Sequence, residues 1–340
     1  MDCARLTTFR GCLLTDISLT QTADLTIRTQ TARRAGAGDT RFRLTTMAAA
    51  ILVLLIFAGV ITSLILGAMP AIKAFGFSFI TTEAWSPARD RFGALGPIYG
   101  TLVTSAIAML IALPVGIGIA IFLTELCPRM FRRPIGIAIE LLAGIPSIIY
   151  GIWGLFVFAP WFQAAVQEPV MNAVADVPVL STLFGGAPYG IGIFTAGLIL
   201  SIMILPFIAA VTRDVLETVP SVLKEAAYGV GATQWEVIRK VALPFARTGV
   251  VGGAMLALGR ALGETMAVTF VIGNAHRIAP SLFAPGTSIS AAIANEFTEA
   301  TTELYTSALI ELGLLLFVIT FIVLAAAQLM LRSMEKGQGK

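Results

Sequence analysis

Long apolar runs separated by polar connectors dominate the chain. Six of them reach the roughly 20 apolar residues a helix needs to cross the hydrocarbon core of a bilayer. They cover approximately residues 47–69, 99–124, 136–159, 190–212, 250–272 and 307–331. The pattern predicts an all-α membrane protein with six transmembrane helices. Interior breakers such as Pro114 and the Gly144-Ile145-Pro146-Ser147 run do not argue against this, because neighbouring helices in a membrane can satisfy the freed backbone groups. A kink is expected at Pro146, with a full break that aims freed N–H groups at an anion as the alternative.

The connectors differ in charge, and that difference orients the spans. With the N-terminus inside, the inner segments hold 18 Lys and Arg residues and the outer ones four, Lys73, Arg89, Arg91 and Arg277. Dropping residues 1–46 still leaves 11 against four. The positive-inside rule therefore predicts that both termini are cytoplasmic. The outer connectors 161–189 and 275–306 are long enough for a short helix or a docking surface, with plain solvated linkers as the alternative.

Composition fits the same class: 57% of the residues are hydrophobic and 13% charged, with mean hydropathy +0.87, beyond the range of soluble domains. A net charge of +3 without a basic patch excludes nucleic acid as a partner, and membrane lipid is the expected surroundings. Cys3, Cys12 and Cys127 form neither a CxxC pair nor a cluster with the lone His276, so no disulfide, metal or other cofactor is expected. The organisation expected is a largely disordered cytoplasmic arm, 1–46, a first transmembrane helix, 47–69, a permease domain, 98–332, and a cytoplasmic tail, 333–340.

The connector 220–244 carries unusually ordered signals. Leu223, Ala226, Ala227 and Val230 recur at helical spacing after Pro220-Ser221, and Gly231 ends the run. Thr233 then begins a second short helix as N-cap, with Glu236 as its capping-box partner. A helix, a glycine turn and a helix are predicted, closed by Leu243-Pro244.

Glu225-Ala226-Ala227, Gly231-Ala232 and Leu243-Pro244 together resemble the EAA motif of ABC importer permeases. The resemblance implies a type I ABC importer permease fold in which Glu225, Ala226, Ala227 and Gly231 couple the chain to a separate ATPase. The chain has no GxxxxGK[ST] phosphate-binding loop, so it is expected not to be an enzyme. Residues 98–105, 139–156 and 257–274 are similar to PstC-type permeases of the phosphate-specific transporter in the inner membrane. That similarity implies phosphate as cargo. It also implies a PstA-type sister permease, PstB-type ATPase subunits and a PstS-type extracytoplasmic phosphate-binding protein as partners. Another anion or small solute as cargo, an ion-coupled secondary transporter and a regulatory membrane scaffold remain as alternatives.

The fifth span holds charge at membrane depth. On a wheel of about 100° per residue, Gly249, Gly253, Ala257 and Ala261 fall in one band of about 120°, and Arg260 and Glu264 lie inside it. Small residues four apart mark close helix packing. Arg260 and Glu264 are expected to neutralise each other as i,i+4 neighbours, with Arg260 offering its guanidinium fork to an oxyanion along the translocation pathway. A buried pair that only fixes packing is the alternative. Glu140 is expected within the third span near its cytoplasmic end, as a packing or snorkelling carboxylate.

Overall fold

The computed structural model of the chain describes residues 6–336, with side chains from 39 to 329. Most of the expected arm, 1–46, and the tail, 333–340, lie outside the residues whose side chains are described. In chain order the principal helices are α1 (Leu6–Phe75), α2 (Leu95–Leu126), α3 (Arg129–Ala143), α4 (Ser147–Val174) and α5 (Ile193–Glu217). They continue with α6 (Ser221–Gly229), α7 (Gln234–Leu262), α8 (Met266–Ile272), α9 (Ile289–Glu296) and α10 (Glu303–Lys336). Among the described residues, six helical stretches are long and apolar enough to cross a membrane: 39–75 of α1, all of α2, α4, α5 and α7, and 303–329 of α10. Among the described residues there is no β-strand, only an antiparallel bridge between Ser86 and Arg91.

Contacts divide the chain into residues 1–63 and 64–340. In the first unit, every described side chain from 39 to 60 is exposed, Leu54 and Leu55 included. Lipid is the solvent that such a surface suits.

The second unit is organised around α5, where 67% of the most apolar stretch is buried against 33% or less in each other span. Small residues let its neighbours approach. A Cβ on Gly197 would lie 2.7 Å from Ile107 Cγ2 of α2, and one on Gly116 of α2 would lie 2.8 Å from Ile208 Cγ2. Ala108 and Ala112 of α2, Leu200 and Ile204 of α5, and Ala257 and Ala261 of α7 form the centre of the core. Without a strong hydrophobic drive between helices in lipid, such close van der Waals approach holds the bundle.

The third and fifth spans differ from expectation. Helix α3 ends with Gly144 as its C-cap, and α4 restarts at Ser147 after Pro146, so the membrane-crossing helix is 147–174 rather than 136–159. Pro146 has no N–H to continue the ladder and drives Ile145 out of the α region. In the fifth span α7 starts at Gln234 and stops at Leu262, before a separate α8.

The connector 275–306 is not a solvated linker. Its helix α9 buries Ile289, Ala291 and Ala292 completely or nearly so. The buried turn before it is satisfied: Ile289 N–H donates to Thr101 Oγ1 at 2.9 Å and Ala291 N–H to Ser288 Oγ at 3.2 Å.

Candidate coupling loop and translocation face

The connector after α5 folds as its sequence directs. Pro220 precedes α6, Val230 follows it, and Gly231 adopts φ +89°, a left-handed conformation that glycine enters without a Cβ penalty. Thr233 caps α7 through a complete capping box with Glu236. Glu225, Ala226, Ala227 and Gly231 therefore share one short helix and its turn.

Nothing in α6 is buried. Val222, Leu223, Tyr228 and Val230 are exposed, Val230 at 86%, and Trp235 at the start of α7 is exposed at 61%. The Glu225 side chain makes no hydrogen bond or ion pair with any described residue. A groove of about 420 Å³ separates Ala227, Val230, Gly231 and Ala232 from Glu236, Lys240 and Val241.

The loop is nevertheless tied to the bundle. Lys224 Nζ lies 2.5 Å from Glu125 Oε1 in the last turn of α2, and Gln234 Nε2 donates to the Glu125 carbonyl at 3.0 Å. Sequence reading misses this clamp, because its partners lie 99 residues apart.

The expected close of the loop at Leu243-Pro244 does not occur. The second helix runs straight into the fifth span through a π-turn, Ile238–Ala242. Leu243 N–H bonds to the Ile238 carbonyl, five residues back. The widened turn accommodates Pro244 directly after it, where a donor is missing.

Higher in α7 the small-residue stripe packs on α5. A Cβ on Gly249 would sit 2.5 Å from Val215 Cγ1, and one on Gly253 would sit 2.7 Å from Val211 Cγ1. Arg260 is exposed, on the strip that Gly252 and Leu256 also occupy at four-residue spacing. Leu256 is exposed and no other part of the chain approaches Gly252 within 4 Å of a Cβ position.

Arg260 and Glu264 do not form the expected i,i+4 pair. The helix ends between them at the Gly263 C-cap, and no ion pair joins them among the described residues. Glu264 instead accepts from the Ala267 N–H at 3.4 Å, at the start of α8. The wheel assumed an unbroken helix, and Gly263 breaks it.

Other polar groups acquire partners only in the fold. Glu140 lies on α3 rather than in a membrane span, and its Oε1 receives Arg213 Nη2 at 2.7 Å. Glu296 accepts from Trp85 Nε1 at 2.6 Å and from Tyr305 OH at 2.6 Å, and its Oε1 lies 2.5 Å from His276 Nε2. Burial raises the Glu296 pKa, but these hydrogen bonds and the His276 charge outweigh it and hold the carboxyl below its usual range. Glu311 on α10 is buried with Oε2 unpartnered. An acid inside an apolar run is a legible signal that the sequence reading did not use.

The family described as binding-protein-dependent transport system inner membrane component matches residues 112–336. The chain belongs to this family of inner-membrane permeases. A Mesorhizobium japonicum protein named phosphate transport system permease protein PstC is 64% identical to the chain over 312 residues, covering 92% of this chain and 95% of its own. The Pasteurella multocida protein of the same name is 58% identical over 299 residues, covering 88% and 93%. Among solved structures, a bacterial alginate ABC transporter in complex with alginate pentasaccharide-bound periplasmic protein matches with TM-score 0.57. That match covers 84% of this chain and 94% of the other at 19% identity, a likeness of fold alone. The permease has the type I ABC importer fold.

Proposed function

We propose that this permease carries inorganic phosphate inward across the cytoplasmic membrane, driven by ATP hydrolysis on a separate subunit. The observation that carries the coupling is α6: it leaves every residue unburied while Lys224 fastens it to α2. An apolar helix presented on a fixed base suits a partner's groove, and the partner is a PstB-type ATPase. Glu225 and the small Ala226 and Ala227 make the contact, and Gly231 sets the angle of the turn. The excess of Lys and Arg on this side makes it cytoplasmic, together with both termini.

The cargo rests on the relatives' names and on Arg260. A guanidinium facing lipid at membrane depth costs about 3 kcal/mol on insertion scales and is functional by default. The strip of Gly252, Leu256 and Arg260 is therefore covered in the assembly by a PstA-type sister permease. Between the two chains lies the anion path, along which Arg260 presents its fork to phosphate. Glu264 acts there by ordering the start of α8. A PstS-type binding protein delivers phosphate from the opposite side.

Reconstitution of the four-component transporter in proteoliposomes tests this reading. Radiolabelled phosphate should accumulate only with binding protein outside and ATP inside. Uptake of sulfate or molybdate in preference to phosphate overturns the cargo, and uptake without ATP overturns the engine.

A further inference from the structure

Helix α3 carries a second charged cluster, separate from the connector 220–244 and from Arg260. Arg129, Arg132, Arg133 and Arg213 line a cavity of about 380 Å³ with Ile137, Glu140 and Glu217. Arg213 is already neutralised there: Nη2 lies 2.7 Å from Glu140 Oε1 and 2.9 Å from Asp214 Oδ1, and Nε lies 3.9 Å from Glu217 Oε1. The acids are thus committed. Arg129, Arg132 and Arg133 make no side-chain hydrogen bond or ion pair with any described residue. Arg132 Nε is also shut away from water without a described partner, a cost that the rest of its guanidinium group can offset only by finding an acceptor of its own.

The surroundings say what the acceptor is attached to. Met130, Phe131, Ile137, Leu141 and Leu142 of the same helix are exposed, so cationic and apolar surfaces run side by side. Gly136 packs on Arg213 near the end of α5, which places the arginines where that span leaves the membrane. Guanidinium groups at this level match a phosphodiester, and the apolar residues beside them match acyl chains. A free anion would use the first feature and leave the second unexplained.

We propose that the Arg129–Arg132–Arg133 cavity binds the headgroup of an anionic phospholipid, whose phosphate accepts from the unpaired guanidinium groups that line it. The lipid clasps α3 to the end of α5 beside the Arg213–Glu140 pair. This inference needs only the membrane location of the chain and is independent of the cargo.

The test uses the complete transporter, exchanged into detergent with phosphatidylglycerol or phosphatidylcholine and examined by native mass spectrometry. The wild-type complex should retain phosphatidylglycerol over phosphatidylcholine. Each Arg→Gln change should weaken retention roughly fivefold, and R129Q/R132Q/R133Q together on the order of a hundredfold. R247Q, which removes an exposed cation outside the cavity, should retain lipid like wild type. Equal retention by the triple variant and wild type overturns the proposal. Displacement of the lipid by millimolar inorganic phosphate also overturns it, by assigning the cavity to the free anion. Should the triple variant fail to assemble, photoactivatable phosphatidylglycerol decides on the wild-type complex. Crosslinks concentrated in α3 support the site, and crosslinks no more frequent than with phosphatidylcholine overturn it.

Discussion

Lys224 of α6 and Glu125 at the end of α2 form an ion pair of 2.5 Å in which the side chains are only 21% and 11% exposed. The pair joins α6, a short helix with no buried residue, to a span that packs on the centre of the bundle. On the proposed function, motion imposed on α6 by a partner would reach α2 through this charge-assisted hydrogen bond as well as through the loop backbone. Removing one partner, as in Lys224→Met or Glu125→Gln, should cost about 1–2 kcal/mol, less than a fully buried pair because both groups keep some water. ATPase activity of the assembled complex should persist while phosphate uptake per ATP falls. The exchange Glu125→Lys with Lys224→Glu should restore part of the coupling. Unchanged uptake per ATP in both single variants would show that the clamp carries no motion.

Arg260→Gln should abolish uptake while the complex still assembles, because Arg260 is exposed and holds no part of its own chain's core. Arg260→Lys should retain charge but lose the fork, leaving uptake reduced by about tenfold or more. Uptake at the wild-type rate in Arg260→Gln would remove Arg260 from the pathway. Loss of assembly would give it a packing role instead.

Gly249 faces Val215, with 2.5 Å between Val215 Cγ1 and the position of an added Cβ. Gly249→Ala should therefore separate α7 from α5 and cost about 1–3 kcal/mol through overpacking. Thermal unfolding of the purified complex measures it. Gly249→Ala combined with Val215→Ala should recover most of the loss, because the clash is with that side chain.

Glu296 ties Trp85, His276 and Tyr305 together at the end of the bundle opposite α6. Its carboxyl titrates below the ordinary 4.5 in the folded chain. The unfolded chain therefore binds the proton more readily, so the contribution to stability is present above about pH 4.5 and is lost as pH falls through the lower folded value. Thermal unfolding between pH 7 and pH 3 should show this loss in wild type and a flatter profile in Glu296→Gln. Tyr305→Phe should cost about 1.5–3 kcal/mol, as expected for a hydrogen bond to a charged group. Coincident pH profiles of wild type and Glu296→Gln would count against the charged network.

Much of the architecture was legible because its signals are local. Six apolar runs correspond to six membrane-crossing helices, since hydropathy over about 20 residues is decided by those residues alone. The capping box at Thr233 and the turn at Gly231 were equally readable, as each depends on contacts three or four residues away. The third span begins at Ser147, about ten residues after its apolar run does. Hydropathy averages through the Gly144–Pro146 break, whereas backbone hydrogen bonding does not.

A six-span membrane chain with an ordered connector between α5 and α7 follows from the residues in order, because periodicity, caps and apolar length are properties of short segments. How the charges pair depends on the fold. Arg213 meets Glu140 across 73 residues, Lys224 meets Glu125 across 99 and Trp85 meets Glu296 across 211. Arg260 and Glu264, four residues apart, do not meet at all. An ion pair depends on where two backbones pass and on where helices stop, and Gly263 stops α7 between the two charges that a wheel had placed together.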